Sequence, residues 1–371
     1  MQELIWFIVV ITPIVFIHEL GHFLIARSFG VKISVFSIGF GKPLLKWKDS
    51  KDTIWQIALI PLGGYVKMYG DEGVASTPDM NKLQNSSEEE KKLSFYYKKL
   101  WQKALIVFGG PFANYMLAII IFMGIALHSG VKEFKTEVTG IRFDSPAQKA
   151  GIQVGDTIVE LNGKKVNTVY DLKSALALNV NDKITIGYIR NNTYYVVDVI
   201  PELEATDIAG EKTIQPVIGV MFQKYTYTAV GPFEAAVYSV RQTFNLSCTM
   251  LQAVWQMLTG QRNTDELGGP IKIAKYSGKI AEQGFLPFLY LIALISLNLG
   301  LVNLLPIPML DGGHLFYYAI EAIIGKPINY TVQNIGFKIG FAVIMSLMLI
   351  AFWNDLKNID LIVSLKKMIF N

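Results

Sequence analysis

Four long apolar runs constrain the fold of this 371-residue chain most strongly. A helix needs about 20 apolar residues to cross the hydrocarbon core of a bilayer. Each run is near or above that length, so we predict a polytopic α-helical membrane protein with about four transmembrane helices. Only 17% of the residues are charged, which excludes a disordered protein and an ordinary cytosolic enzyme. The runs cover residues 4–29, 104–127, 285–305 and 337–353, and the last is the shortest.

The net charge and the cysteine content limit which partners, disulfides and metal sites this chain can have. The formal net charge of +4 is too small to indicate a polyanionic partner, so no nucleic acid is expected. The single cysteine, Cys248, excludes an intrachain disulfide and a cysteine metal cluster. The first apolar run is interpreted as a membrane span rather than a cleaved signal peptide, because it is long and no positive charge precedes it.

Polar segments separate the apolar runs. Residues 31–70 alternate polar with β-branched and aromatic side chains, which predicts a membrane-associated β segment of short strands with glycine turns. The charged stretch 71–99 is predicted to be a solvated loop. The strand-like and helix-like runs of residues 132–222 predict a small α/β module. The helical periodicity of residues 232–283 predicts amphipathic helices on the membrane surface or packed on that module.

The distribution of basic residues predicts an orientation. Segment 31–103 holds 12 Lys and Arg against 8 Asp and Glu, whereas segment 129–230 holds 11 against 12. Cytoplasmic loops carry the excess of Lys and Arg. We therefore predict that residues 31–103 are cytoplasmic and that residues 129–284 and both chain ends lie on the other side.

The sharpest motif is the pentad HELGH at residues 18–22, inside the first apolar run. In a helix, positions i and i+4 share a face, so His18 and His22 can reach one metal ion, with Glu19 beside them as a general base. Ionisable residues at membrane depth are costly unless they are paired or ligated, which makes these residues candidates for function. The alternative is a polar contact between helices.

A catalytic zinc site with two histidines needs a third protein ligand and an open position. Asp311 is the best candidate, because it directly follows the third apolar run in the segment NLLPIPMLDGGH, residues 303–314. The prolines stop the helix and the glycines allow a tight turn, so we expect the carboxylate on irregular backbone at membrane depth. His314 is either a fourth ligand, a hydrogen-bond donor to a ligand, or a hydrogen-bonded loop histidine.

Together these motifs resemble the site-2 protease family of intramembrane zinc metalloproteases. Within it, they resemble the bacterial regulator-of-sigma-E type, which carries an inserted PDZ domain. The resemblance spans essentially the whole chain. The motifs that carry it are HELGH at 18–22, GGYVKM at 63–68, GGPFAN at 109–114 and the segment 303–313.

The resemblance implies specific roles for residues of this chain. His18, His22 and Asp311 would bind Zn²⁺, and Glu19 would be the catalytic base. Asn303 would hold the substrate. The GGPFAN segment would shape the wall of the active site, with close helix packing as the alternative.

Residues 145–163, SPAQKAGIQVGDTIVELNG, look like the core of a bacterial PDZ domain, a module that binds extended peptides by strand addition. Segment 129–230 has room for one such domain, whereas the sigma-E type carries two. We expect a peptide or an envelope protein as its ligand. The alternative is a spacer that binds nothing.

The implied function is regulated intramembrane proteolysis in the bacterial inner membrane, with the active site toward the cytoplasm and the PDZ-like domain outside. The substrates would be single-span membrane proteins, either an anti-sigma factor or remnant signal peptides, which meet the enzyme within membrane lipid. We hypothesise that an exposed edge of the β segment, at Gly63 and Gly64, binds the unwound substrate as an extended strand.

Two other functions stay open at this point. A catalytically silent membrane scaffold would have no need for intact HELGH and LDGG motifs. A zinc or manganese transporter would need several intramembrane carboxylates, and the apolar runs offer essentially only Glu19.

The predicted organisation alternates helices with inserted segments. It consists of a transmembrane helix with the HExxH motif (1–30), the β segment and loop (31–103), a transmembrane helix (104–128), the PDZ-like domain (129–230), an amphipathic helical region (231–284), a transmembrane helix with the LDGG segment (285–335), and a transmembrane helix with the C-terminal tail (336–371).

Overall fold

The chain folds into two compact units, which are described separately: residues 1–122 with 265–371, and residues 123–264. The computed structural model describes residues 2–70, 86–133, 136–179, 182–208, 211–222, 226–261 and 268–357. Its helices are α1 (Gln2–Ser28), α2 (Glu88–Leu93), α3 (Leu100–Ser129), α4 (Pro146–Lys149), α5 (Val169–Ala177), α6 (Pro232–Leu258), α7 (Pro270–Glu282), α8 (Phe285–Asn303), α9 (Asp311–Ile324) and α10 (Tyr330–Lys357).

The strands form a hairpin in the first unit and several small sheets in the second. They are β1 (Ile33–Lys48), β2 (Ile54–Met68), β3 (Val131–Glu133), β4 (Val138–Ile141), β5 (Thr157–Leu161), β6 (Lys164–Lys165), β7 (Ile184–Arg190), β8 (Thr193–Val199), β9 (Glu202–Ile208), β10 (Glu211–Val217), β11 (Val220–Phe222) and β12 (Thr226–Thr228).

Four helices of the described chain, α1, α3, α8 and α10, are long and apolar enough to cross a membrane. Helix α10 is longer than the apolar run 337–353, so the expectation of a short last helix is wrong. Its start follows Asn329, whose side-chain oxygen accepts a hydrogen bond from the Thr331 N–H at 2.9 Å. This hydrogen bond caps the start of α10. Backbone hydrogen bonds carry the helix beyond the apolar run at both ends.

The β segment is a hairpin of β1 and β2 in which each strand bends back on itself. Residues 35–38 pair on one side with residues 64–67 and on the other with residues 54–57, and residues 54–57 also pair with residues 45–48. At its turn, Asp49 Oδ1 accepts hydrogen bonds from the N–H groups of Lys51 and Thr53 at 2.9 and 3.0 Å. Gly39 and Gly63 have positive φ angles of 89° and 128° inside the strands. The predicted short strands therefore correspond to the separately paired stretches of β1 and β2, and the chain bends at the glycines between them.

The base of the hairpin is anchored to α1 by an apolar cluster. Phe36 of β1 and Val66 of β2 are buried together with Phe23 of α1. The ring of Phe36 contacts those of Phe23 and Trp55, with centroid separations of 5.5 and 4.4 Å. This packing fixes the hairpin beside the helix that carries the HELGH pentad.

The charged stretch after the hairpin is only partly covered by the structure. Residues 71–85 of the predicted loop lie outside the described residues. Residues 88–93 form α2, so the prediction of a loop is wrong there. A capping box explains the helix: the Glu90 N–H donates to Ser87 Oγ, and the Ser87 N–H donates to the Glu90 carboxylate.

The second unit contains a small α/β module. Its four-stranded antiparallel sheet has the order β6-β5-β7-β8, and α4 and α5 accompany it. These strands and helices agree with the small α/β module predicted for residues 132–222. The core is formed by buried aliphatic side chains, among them Val138, Ile158, Leu172, Ile184 and Ile186.

The amphipathic region divides between the two units. In the second unit, α6 buries small polar residues such as Ser239 and Thr243 and exposes Phe233 and Phe244. In the first unit, α7 packs on α1, where a Cβ at Gly278 would lie 3.1 Å from Glu3 Cγ. The helical prediction for 232–283 is thus confirmed for the described residues of this range.

Candidate metal centre

Three potential ligand atoms converge from two helices of the first unit. Helix α1 supplies His18 and His22, one turn apart on one face, and α9 supplies Asp311, its first residue. The two Nε2 atoms are 3.3 Å apart. Asp311 Oδ2 lies 3.3 Å from His18 Nε2 and 3.5 Å from His22 Nε2. The structure therefore brings together the three residues that were predicted as ligands.

The separations fit a tetrahedral metal ion. Zinc–ligand bonds of about 2.0–2.1 Å in tetrahedral geometry place neighbouring ligand atoms about 3.3–3.4 Å apart. The three measured separations lie within about 0.2 Å of this edge length. Two imidazoles and one carboxylate leave a fourth position open, which is the pattern of catalytic rather than structural zinc sites.

Helix α3 approaches α1 through glycines beside the site. Gly21 and Gly109 face each other, and a Cβ at Gly109 would lie 2.7 Å from the Gly21 carbonyl oxygen. A Cβ at Gly110 would overlap His22 Nε2. The other nitrogen of that ring, His22 Nδ1, lies 2.9 Å from the carbonyl oxygen of Ile106. The Nδ1–H can donate to this carbonyl, which leaves Nε2 free for a metal ion.

The segment between α8 and α9 places Asp311. The expectation that Asp311 and the two following glycines form an irregular turn is wrong, because α9 begins at Asp311 and contains both glycines. A Cβ at Gly312 would overlap the carbonyl oxygens of Leu304 and Leu305. A Cβ at Gly313 would overlap the Ile307 carbonyl oxygen. The glycines are required because the preceding loop folds tightly against the first turn of the helix.

Glu19 lies between the histidine pair and the hairpin. Strand β2 passes so close that a Cβ at Gly64 would lie 3.0 Å from Glu19 Cγ and 2.8 Å from the Ser37 carbonyl oxygen. The backbone of the hairpin therefore contacts the side chain that was predicted as the general base. Glu19 directly follows His18 on α1. Its carboxylate is close enough to His18, His22 and Asp311 to interact with them electrostatically.

The other predicted site residues are placed less closely. Gly63 lies next to Gly64, and a Cβ there would overlap the Phe40 ring. Asn303 is the last residue of α8 and is half-buried. His314 lies on α9, with its ring centroid 5.2 Å from that of Phe337. It is a helical residue packed against an aromatic ring, so the expectation of a loop histidine is wrong.

Asn114 ends the segment 109–114 that was expected to shape the wall of the site, and it contacts His18 directly. This residue of α3 is fully buried, and its Nδ2 lies 3.2 Å from His18 Nδ1. Ser296 of α8 donates a hydrogen bond to the Asn114 main-chain oxygen at 3.0 Å. The signal was present in the sequence: an amide inside an apolar run needs a partner, just as an ionisable group does.

Comparison with protein families decides the classification. The model of Peptidase family M50 matches residues 6–347 of this chain. The chain belongs to Peptidase family M50. This result confirms the resemblance to the site-2 proteases and the prediction of an enzyme, namely a peptidase. His18, Glu19, His22 and Asp311 lie within the matched range.

Relatives of this M50 protein match along almost their entire lengths. Metalloprotease MmpA of Caulobacter vibrioides is 34% identical over 95% of this chain and 94% of its own. A Rickettsia conorii protein, named as a putative zinc metalloprotease, is 39% identical over 97% of this chain and 99% of its own. Among solved structures, the PDZ domain of the SdrC-like protein from Listeria monocytogenes matches 25% of this chain and 92% of its own, with 23% identity and a TM-score of 0.20.

Proposed function

We propose that this M50 peptidase is an intramembrane zinc metalloprotease that cleaves the transmembrane segments of single-span membrane proteins. The observation that carries the proposal is the trio of ligand atoms 3.3–3.5 Å apart. His18, His22 and the neighbouring Glu19 lie on α1, which is apolar enough to cross a membrane. The name of the Rickettsia relative supports zinc as the metal. We infer that His18, His22 and Asp311 hold it.

The chemistry divides between the metal and the protein. Bound zinc would polarise the scissile carbonyl and lower the pKa of the attacking water. Glu19 takes a proton from that water and returns it to the leaving amine, so one carboxylate serves both halves of the hydrolysis. Nδ1 of His22 is held by the Ile106 carbonyl, which keeps Nε2 directed at the site.

The substrate must be unwound before it is cut, because a helix hides its carbonyl groups in backbone hydrogen bonds. We infer that residues 64–68 of β2 hold it extended. They pair with β1 on one side, within the described part of the chain, and Gly64 contacts Glu19. A strand added along this edge would place its carbonyl groups near the general base. We assign Asn303, at the end of α8, to holding the substrate backbone.

Substitution of Glu19 tests the chemical proposal. The purified full chain is assayed on a labelled single-span peptide in proteoliposomes. Glu19→Gln should keep its zinc content and lose about 10²–10⁴-fold in cleavage rate, the usual contribution of a general base. Glu3→Gln on the same helix is the matched control and should cleave like the wild type. Cleavage by Glu19→Gln near the wild-type rate would refute the mechanism.

Proline substitution tests the role of the hairpin edge. Single prolines at Tyr65, Val66 and Lys67 remove a backbone N–H each, and alanine at the same positions keeps it. We expect the proline variants to cleave the substrate more slowly with unchanged zinc content. The alanine variants should retain most of the wild-type turnover. Equal turnover in the two series would exclude strand addition here.

The physiological substrate and location are further proposals. We propose the bacterial inner membrane, with the active site toward the cytoplasm and the PDZ-like segment 129–230 outside, where it would bind a peptide or an envelope protein. The substrates would be a trimmed anti-sigma factor or remnant signal peptides. Comparison of membrane proteomes with wild type and Glu19→Gln should reveal single-span proteins that accumulate as trimmed stubs. Zinc bound at one ion per chain without any cleavage would favour a silent scaffold instead.

A further inference from the structure

Asn114 makes the closest polar contact to the far side of the His18 ring. Its side chain is 0% exposed, with Nδ2 3.2 Å from His18 Nδ1. Its other amide atom, Oδ1, is buried and has no hydrogen-bond partner among the described residues. No hydrogen bond therefore holds the amide oxygen where it lies, and the contact with His18 decides the orientation of the amide.

The chemistry of His18 requires an acceptor at this position. His18 Nε2 faces Asp311 Oδ2 and His22 Nε2, so it is the nitrogen that points to the proposed metal. A neutral imidazole that ligates through Nε2 carries its hydrogen on Nδ1. An Nδ1–H directed at an amide NH₂ group would set a donor against a donor. Rotation of the amide by 180° exchanges nitrogen and oxygen in nearly the same volume.

We propose that Asn114 is a positioning residue for the metal centre, whose Oδ1 accepts the Nδ1–H of His18 and holds its Nε2 toward the metal. The proposal rests on the proposed zinc function. With this hydrogen bond, α3 would supply an acceptor for the Nδ1–H of each of the two histidines. Ile106 and Asn114 are eight residues apart, about two turns of α3, and they face Nδ1 of His22 and of His18 respectively.

The acceptor of His22 is a backbone carbonyl, which substitution cannot remove, whereas that of His18 is a side chain. Ser296 Oγ donates to the Asn114 main-chain oxygen and fixes this part of α3 against α8. Ser296→Ala therefore alters the same helix contact but leaves the proposed acceptor in place. It is the matched control for packing.

Zinc affinity of the purified full chain tests the proposal. The metal-free protein in detergent is titrated with zinc against a chromophoric chelator. Asn114→Leu, of similar size without an acceptor, should weaken binding about 10–100-fold, the usual cost of losing such a partner. Asn114→Asp keeps an acceptor oxygen and should bind at least as tightly as the wild type. Ser296→Ala should bind within about threefold of the wild type.

Each alternative role of Asn114 predicts a different pattern of zinc affinities among the variants. If Asn114→Asp weakens binding as much as Asn114→Leu does, the amide donates to His18 and the proposal is wrong. Equal losses in Asn114→Leu and Ser296→Ala would reduce Asn114 to a packing role and also overturn it. If Asn114→Leu does not fold, Asn114→Ala replaces it, and normal zinc affinity there overturns the proposal. A wild-type chain that binds no zinc refutes the proposed function instead.

The d–d spectrum of the cobalt-loaded protein provides a readout that packing alone would not move. We expect Asn114→Asp to keep the wild-type band positions and Asn114→Leu to shift them, because the imidazole is no longer held in one orientation. An unchanged spectrum in Asn114→Leu would overturn the positioning role.

Discussion

Two aspartates, the buried Asp156 of the second unit and the partly buried Asp311 of the first, differ in the groups that balance their charge. In the second unit, Asp156 has 1% of its side chain exposed and receives two hydrogen bonds of 2.7 Å from Arg190. The Gln153 N–H adds a third at 2.7 Å. In the first unit, Asp311 Oδ2 faces two imidazole nitrogens at 3.3 and 3.5 Å. Asp156 has a permanent cation as its partner, whereas the partners of Asp311 are two imidazole rings.

This difference separates a structural carboxylate from a candidate functional one. A buried charge is costly unless it is paired and hydrogen-bonded. The guanidinium of Arg190 is always charged and meets the carboxylate with two donors, so Asp156 stabilises the fold. Two imidazoles and one carboxylate are instead a set of potential ligands for a divalent cation from outside the chain. The comparison therefore predicts opposite consequences for substitution of the two aspartates.

Asp311→Asn should produce the largest effect on the metal centre. It keeps the shape of the side chain but removes the negative charge that the proposed zinc needs. We expect a loss of zinc affinity greater than the about 100-fold upper cost of losing a supporting hydrogen bond. The thermal stability of the metal-free chain should change little. Full zinc occupancy by elemental analysis would show that another residue is the third ligand.

Asp156→Asn should destabilise the second unit and leave zinc binding unchanged. Removal of one partner of a fully buried ion pair costs about 3–5 kcal/mol, and we expect a smaller loss of stability here because the cation left behind, Arg190, keeps 26% of its side chain exposed. Hydrogen exchange of peptides from residues 123–264 in the full chain measures this loss. Zinc affinity should be unchanged. Reduced zinc binding without faster exchange would break the distinction between the two aspartates.

The ion pair of Asp156 and Arg190 predicts that the stability of the second unit depends on pH. Burial alone would raise the pKa of Asp156, but the hydrogen bonds from Arg190 and Gln153 and the charge of Arg190 lower it overall. A lowered pKa in the folded state stabilises the protein above the ordinary Asp value of about 3.9. That stability is lost as the pH falls through the lowered pKa. Exchange in the second unit should accelerate there in the wild type, and Asp156→Asn should lack this component.

Gly110→Ala tests how tightly α3 supports the metal centre. The added Cβ would overlap His22 Nε2, and the ring cannot easily retreat because its Nδ1 is bonded to the Ile106 carbonyl. We expect zinc affinity to fall about 10–100-fold, as when a ligand loses its orientation. Gly124→Ala on the same helix, where a Cβ would meet nothing within 4 Å, is the control. Equal zinc affinity in the two variants would contradict this account.

The sequence predicts local features of this site better than distant ones. His18 and His22 share a face because four residues make about one helical turn, and this needs no knowledge of the fold. Asp311 lies far along the chain, and only its position at the end of an apolar run suggested it. The contact of Asn114 with His18 depends on how closely α1 and α3 cross at Gly21 and Gly109, which no spacing reveals.

One error of the fold prediction, which concerns the residues after the hairpin, has an equally local cause. The charged run there was interpreted as a loop because of its polarity. The order Ser87, Glu88, Glu89, Glu90 is that of a capping box, which starts a helix regardless of hydropathy.

The smallest predicted effects compare two capping boxes, one in each unit. Thr168 caps α5, with hydrogen bonds of 3.1 and 3.0 Å exchanged with Asp171. Ser87 caps the short helix α2 in the same way. Thr168→Ala should cost about 1 kcal/mol, the typical value for a lost N-cap. Ser87→Ala should cost less, because α2 has no buried residue to transmit the loss. Hydrogen exchange of each helix measures both, and a larger effect at Ser87 would show that α2 contributes to the packing of the first unit.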